Sequence, residues 1–91
     1  MTGRSRAIVF GNCQARGLEA TLQANAGFAR RFHVKRYPPV HEIRSDQVAR
    51  LHASLERCDL LVVQRISEEY RSLGVGTKTL SAMAHRAVTV T

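Results

Sequence analysis

The sequence predicts an α/β fold, a three-layer parallel sheet wound β-α-β-α-β-α-β with helices on both faces. Three observations carry this. Two short apolar runs, Ala7-Ile8-Val9-Phe10 and Leu60-Leu61-Val62-Val63, each break off at polar residues, Gly11-Asn12 and Gln64-Arg65. Runs of that length bounded by turn signals read as buried parallel strands. Helical spacing of apolar residues separates the strand candidates, which is the alternation of a parallel sheet with crossover helices. Finally, the chain ends on Val88-Thr89-Val90-Thr91, a fourth strand with no helix after it.

Taken in order, residues 1–5 form a basic leader and residues 7–10 the first strand. A helix is expected from residue 15 to residue 25, with Leu18 and Leu22 inward and Asn25-Ala26-Gly27 as its stop. Gly17 in its first turn costs about 1 kcal/mol relative to Ala. It is either a tolerated cost or a place where something approaches the backbone. Residues 28–31 read as a connector and residues 32–37 as an edge strand, which Pro38 and Pro39 end because neither donates to a ladder. Ser45 is expected to cap the second helix, whose stripe is Val48, Leu51, Leu55 and Cys58. Residues 60–63 should be a central strand covered on both faces. A loop or short helix follows to Gly76, and Thr77 is expected to cap a third helix with Leu80, Met83, Ala84 and Ala87 inward. The single domain, residues 1–91, ends on a strand, so it is expected to be a truncated sheet or one that needs a partner.

Composition narrows the function. The formal charge is +7, and 12 of the 14 basic residues are Arg. Arginine favours planar, bidentate contacts to phosphate or carboxylate, so a nucleotide, a phosphorylated cofactor or nucleic acid would suit the balance. No stretch approaches the roughly 20 apolar residues of a membrane span. The start of the chain also lacks the apolar core of a signal peptide, which predicts a cytoplasmic protein. Cys13 and Cys58 should lie at opposite ends of neighbouring strands, about 16 Å apart, beyond the roughly 7 Å of a disulfide. Two free thiols are expected, and no set of residues has the spacing of a metal site.

The chemistry-bearing residues gather where strands end. Asn12, Cys13 and Gln14 follow the first strand at a helix amino terminus, where dipole and unpaired N–H groups favour a thiolate. Those donors, with the Asn12 or Gln64 amides, could hold the oxygen of a tetrahedral acyl intermediate; the alternative is an inert cysteine in a tight turn. Arg16 and Arg65 are candidates for phosphate. Otherwise Arg16 faces solvent and Arg65 pairs with Glu68 or Glu69. Gln64, directly after an apolar run, is costly to bury unless paired. Tyr70 either stacks on a base or covers the loop. No glycine-rich dinucleotide or phosphate-loop fingerprint is present.

The segments Val9-Phe10-Gly11-Asn12-Cys13-Gln14-Ala15-Arg16-Gly17-Leu18 and Cys58-Asp59-Leu60-Leu61-Val62-Val63-Gln64-Arg65-Ile66, with Tyr70 and Thr77-Lys78-Thr79-Leu80, resemble the amino-terminal part of the WcbI-type polysaccharide biosynthesis proteins. The resemblance covers most of the chain but only the first portion of a family domain. It implies a coenzyme A or acetyl-CoA-binding acetyltransferase acting on a capsule sugar, without metal, in a fold like the SGNH (GDSL-type) hydrolases. In those relatives a nucleophilic serine stands where Cys13 does, and the catalytic histidine comes from a later segment that nothing here matches. Among the four histidines, His41 lies at the carboxyl edge on the side of Cys13 and is the best substitute. A chain ending here is expected to fall short of full catalysis. It would need a missing carboxy-terminal segment or a second copy. Asn12, Gln14, Arg16, Gln64, Arg65 and Tyr70 are the expected coenzyme contacts, and a polysaccharide precursor sugar the expected acceptor. Two other classes stand beside this one. A non-catalytic interaction module is one. A basic nucleic-acid-binding domain is the other, disfavoured by scattered arginines and the small number of aromatic residues.

Overall fold

The structure, a computed structural model, describes residues 5–91, and the side chain of Cys13 lies outside what it describes. Four strands, β1 (Ser5–Phe10), β2 (Phe32–Lys35), β3 (Leu60–Val63) and β4 (Val88–Val90), form one sheet in the order β2-β1-β3-β4. Every pair is parallel, with Ala7 opposite both Val34 and Leu60, and Leu60 opposite Val88. The expected α/β architecture is therefore present.

Alternation along β1 explains the layering. Ala7 and Val9 pack with Ala15, Leu22 and Phe28 from helices α1 (Cys13–Ala24) and α2 (Ala26–Arg31). Ile8 and Phe10 face the other way, onto Val48, Leu51 and Leu55 of α3 (Ser45–Leu55) and Leu80 of α4 (Thr77–Met83). Side chains two apart share a sheet face, so one strand supplies both cores. The chain leaves β1 for β2 on one side, then crosses back to β3 and β4 on the other. The strand order thus reverses between β1 and β3, and open α/β sheets bind ligands outside the carboxyl ends at such a reversal.

Several boundaries differ from the sequence reading. Helix α1 starts at Cys13, before Ala15, because the Asn12 side chain accepts from the Gln14 N–H at 2.8 Å and caps it. The connector at residues 28–31 belongs to α2. Asn25 ends α1, and its side-chain oxygen accepts from the Phe28 N–H at 3.0 Å, so one residue closes one helix and opens the next. β2 stops at Lys35 instead of residue 37. Arg44, not Ser45, is the cap position of α3, and its N–H donates to Gln47 Oε1 at 2.9 Å. Gly76, not Thr77, occupies that position in α4. β3 is sealed on one face only: Leu61 and Val63 are buried, whereas Leu60 and Val62 are half-buried where they pack against the cluster of Ala7, Val9 and Ala15. Cys58 is a free, fully buried thiol.

Candidate functional site at the carboxyl edge

Gln64 closes the ladder. Its N–H donates to Phe10 O at 3.1 Å, and its side-chain oxygen accepts the Asn12 N–H at 2.5 Å. A backbone N–H only donates, so the Gln64 atom facing it is the oxygen, and the amide nitrogen is left over. The same holds for Asn12, whose side-chain oxygen is occupied by capping α1. Both carboxamides therefore offer donors to whatever lies beside them. Gly11 makes this geometry possible, since a Cβ there would run into the Gln64 carboxamide. The carbonyl of Gly11 accepts from the Val40 N–H at 2.7 Å, which draws the segment after β2 onto the same edge and brings His41 with it.

Between these pieces lies a cavity of about 260 Å³, lined by Asn12, Val40, His41, Gln64, Arg65, Ile66, Ser67 and Tyr70. Five of the eight expected site residues meet here: Asn12, His41, Gln64, Arg65 and Tyr70. His41 Nε2 sits 3.4 Å from Glu42 Oε2. Arg65 joins none of the ion pairs among the described residues, so the alternative pairing with Glu68 or Glu69 does not form. Gln14 and Arg16 point elsewhere. Gln14 lines an apolar cavity of about 210 Å³ with Leu18, Val62 and Val90. Arg16 lines a cleft with Glu19, Arg36, Tyr37 and Pro38. The cavity at the strand ends thus takes Asn12 but neither Gln14 nor Arg16 from the start of α1. Cys13 is the first residue of α1, and its thiol lies outside the described side chains.

The outer wall, residues 65–76, is fastened at several points. Thr77 Oγ1 donates to Gln64 O at 3.1 Å and accepts from the Ile66 N–H at 2.5 Å, so Thr77 staples this wall to β3. Glu68 accepts from the N–H groups of Lys78 and Thr79 at 2.7 and 3.2 Å and from Thr79 Oγ1 at 2.5 Å. The Thr79 hydroxyl, helped by those two N–H groups, holds the Glu68 carboxyl below the usual range. A Cβ at Gly76 would collide with Glu68. His52 Nε2 donates to Gly74 O at 2.8 Å. Arg71 lies in the left-handed region at φ 55°, and its Nη1 donates to Val40 O and Ile43 O at 3.0 and 2.8 Å. It thereby ties the wall carrying Tyr70 to the segment carrying His41. Sequence reasoning missed Arg71 and Ser67, and no local signal marks either one; the Arg71 contacts span 28 and 31 residues.

A mouth whose side chains offer N–H donors, with an imidazole alongside, suits an anionic oxygen or a polarised carbonyl. Among the described residues no group of three His, Cys, Asp or Glu could hold a metal ion, and no helix is long and apolar enough to cross a membrane.

No curated protein sequence matches the chain. A solved structure does: WcbI, described as a polysaccharide biosynthesis enzyme, in its native form without a disulfide bond between coenzyme A and one of its cysteines. The two superimpose with a TM-score of 0.86 at 27% identity, over 96% of this chain and 30% of that one. A family profile described as polysaccharide biosynthesis enzyme WcbI matches residues 6–91, and the chain therefore belongs to the WcbI family of polysaccharide biosynthesis enzymes.

Proposed function

We propose that this chain is the coenzyme A- and acetyl-CoA-binding part of a polysaccharide O-acetyltransferase, with an SGNH-like fold and a cytoplasmic location. The single observation that carries the reading is the donor-lined cavity at the β1/β3 strand reversal, where Asn12, Gln64, Arg65, His41 and Tyr70 meet. A coenzyme A-bearing relative of the same fold supports it.

In this reading the thioester carbonyl lies against the Asn12 and Gln64 amide nitrogens, which stabilise the negative oxygen of the tetrahedral intermediate. The Cys13 thiolate attacks the acetyl carbon, and the bond to the coenzyme sulfur breaks as that sulfur leaves as a thiolate. A sugar hydroxyl then takes the acetyl group from Cys13, its proton passing to His41. The competing route is direct transfer with Cys13 only positioning the thioester. Arg65 and Tyr70 contact the coenzyme by charge and by ring face, and Gln14 and Arg16 lie further from the reacting atoms.

Calorimetry with coenzyme A tests the reading. Saturable binding that persists at a few hundred millimolar salt is expected, and weaker binding by Gln64→Leu. Absence of binding, or binding indifferent to Gln64, defeats it. Acetyl transfer unchanged in both Cys13→Ser and Cys13→Ala would eliminate the covalent route.

A further inference from the structure

A second cleft, of about 250 Å³, is lined by Arg16, Glu19, Arg36, Tyr37 and Pro38 and shares no lining residue with the cavity just described. Its floor is unusual. Among the described residues Glu19 is the one buried charged residue, with its side chain 6% exposed, and its Oε2 lies 2.7 Å from Arg36 Nε. A buried carboxylate costs several kcal/mol unless a partner repays it. The partner here is a guanidinium that is itself 72% exposed.

That asymmetry has a geometric result. The ion pair through Nε anchors the Arg36 side chain beside the buried carboxylate. The terminal nitrogens of Arg36 join no other ion pair among the described residues, and the side chain is largely exposed. Arg16, one turn before Glu19 on α1, lines the same cleft and joins none of the ion pairs among the described residues. Two guanidiniums over one carboxylate leave the cleft with a net positive charge. An anchored guanidinium beside a second cation matches the oxygens of a phosphate group better than a single carboxylate.

We propose that Arg16 and Arg36 form a phosphate-binding subsite, separate from the donor-lined cavity, in which Glu19 acts as a positioning residue. The bound group is a phosphate ester or pyrophosphate. Two sources are open, and naming them rests on the function proposed above: the nucleotide phosphates of coenzyme A, or the phosphate of a phosphorylated sugar acceptor. The subsite itself does not depend on that reading.

The test is titration with inorganic pyrophosphate, followed by NMR at the amide and guanidinium resonances of Arg16 and Arg36. Saturable shifts are expected, with affinity reduced about tenfold in Arg16→Gln and in Arg36→Gln by loss of charge-assisted bonds. Glu19→Gln is decisive because the alternatives predict opposite signs. Removing a negative charge near an anion would by itself tighten binding, whereas loss of the ion-pair anchor on Arg36 weakens it, and we expect weakening. Should Glu19→Gln fail to fold, the two exposed arginine variants still decide. Shifts without saturation, or equal affinity in wild type and both arginine variants, overturn the proposal. Coenzyme A, dephospho-coenzyme A and glucose 1-phosphate then separate the sources. An arginine effect on the first but not the second assigns the 3′-phosphate, and an effect on the sugar phosphate assigns the acceptor. If the protein ignores coenzyme A while pyrophosphate binding stays arginine-dependent, the function above fails and the subsite stands.

Discussion

The side-chain oxygen of Gln64 accepts the backbone N–H of Asn12 at 2.5 Å, joining the turn after β1 to the turn after β3. The bond fixes the two residues relative to each other, and both line the cavity.

Gln64→Leu should therefore do two things. Loss of the bond costs about 1 kcal/mol of stability, read by urea denaturation. If the proposed acyl transfer operates, its rate should fall roughly 100-fold, the usual loss for one donor to an oxyanion. Unchanged transfer with the stability loss intact would remove Gln64 from the chemistry.

Two glycines in the same turn and helix should respond oppositely to alanine. At Gly11 the new methyl would meet the Gln64 carboxamide, so Gly11→Ala should destabilise by about 1–3 kcal/mol and weaken coenzyme A binding. At Gly17 nothing lies within 4 Å of a Cβ, so Gly17→Ala should gain about 1 kcal/mol. Thermal unfolding of the pair checks the sign.

Arg71 carries two carbonyl contacts and a left-handed backbone. Arg71→Ala and Arg71→Gly both lose the contacts, but only Gly is at ease at φ 55°. Ala should therefore be the less stable variant, by about 1 kcal/mol. Hydrogen exchange at residues 66–74 should accelerate in both, since the clamp on that wall is gone.

The Glu68 carboxyl, held low by the Thr79 hydroxyl, makes stability depend on acid. Its folded pKa lies below its unfolded value, so its contribution is present above the unfolded value and is lost as pH falls through the folded one. Glu68→Gln should flatten the acid limb of a stability-versus-pH curve. An unchanged limb would assign the dependence to other carboxylates.

Burial raises the pKa of the Cys58 thiol, whose Sγ donates to Leu55 O at 3.4 Å. It should react with thiol reagents only through unfolding. Rapid labelling of the native protein should then be abolished by Cys13→Ser and untouched by Cys58→Ala, with mass spectrometry as the readout.

Strand identity was legible because Leu60 to Val63 and Ala7 to Phe10 admit few other readings, whereas the strand order β2-β1-β3-β4 is set by long-range pairing that no local pattern encodes. Cap positions were less legible, since they turn on side-chain bonds such as Gln47 to Arg44 that a residue list does not rank. Asn25 shows the difficulty: a stop signal for α1 is also the start of α2. At the site, Asn12, His41, Gln64, Arg65 and Tyr70 were found because each follows a strand or lies in the loop above one. Arg71, Glu19 and Arg36 were not, because their roles arise from pairings between distant segments.

β4 leaves a further mark on the molecule. Among the described residues no strand pairs with its outer edge, and Val88 and Val90 are 67% and 49% exposed, Val90 lining a cavity with Leu18, itself 41% exposed. An unpaired, greasy edge invites another copy to line up against it, while mutual repulsion between bodies of charge +7 holds copies apart. Dissolved salt weakens that repulsion and leaves the edge untouched, so this protein should stay dispersed in dilute buffer and clump as ionic strength climbs.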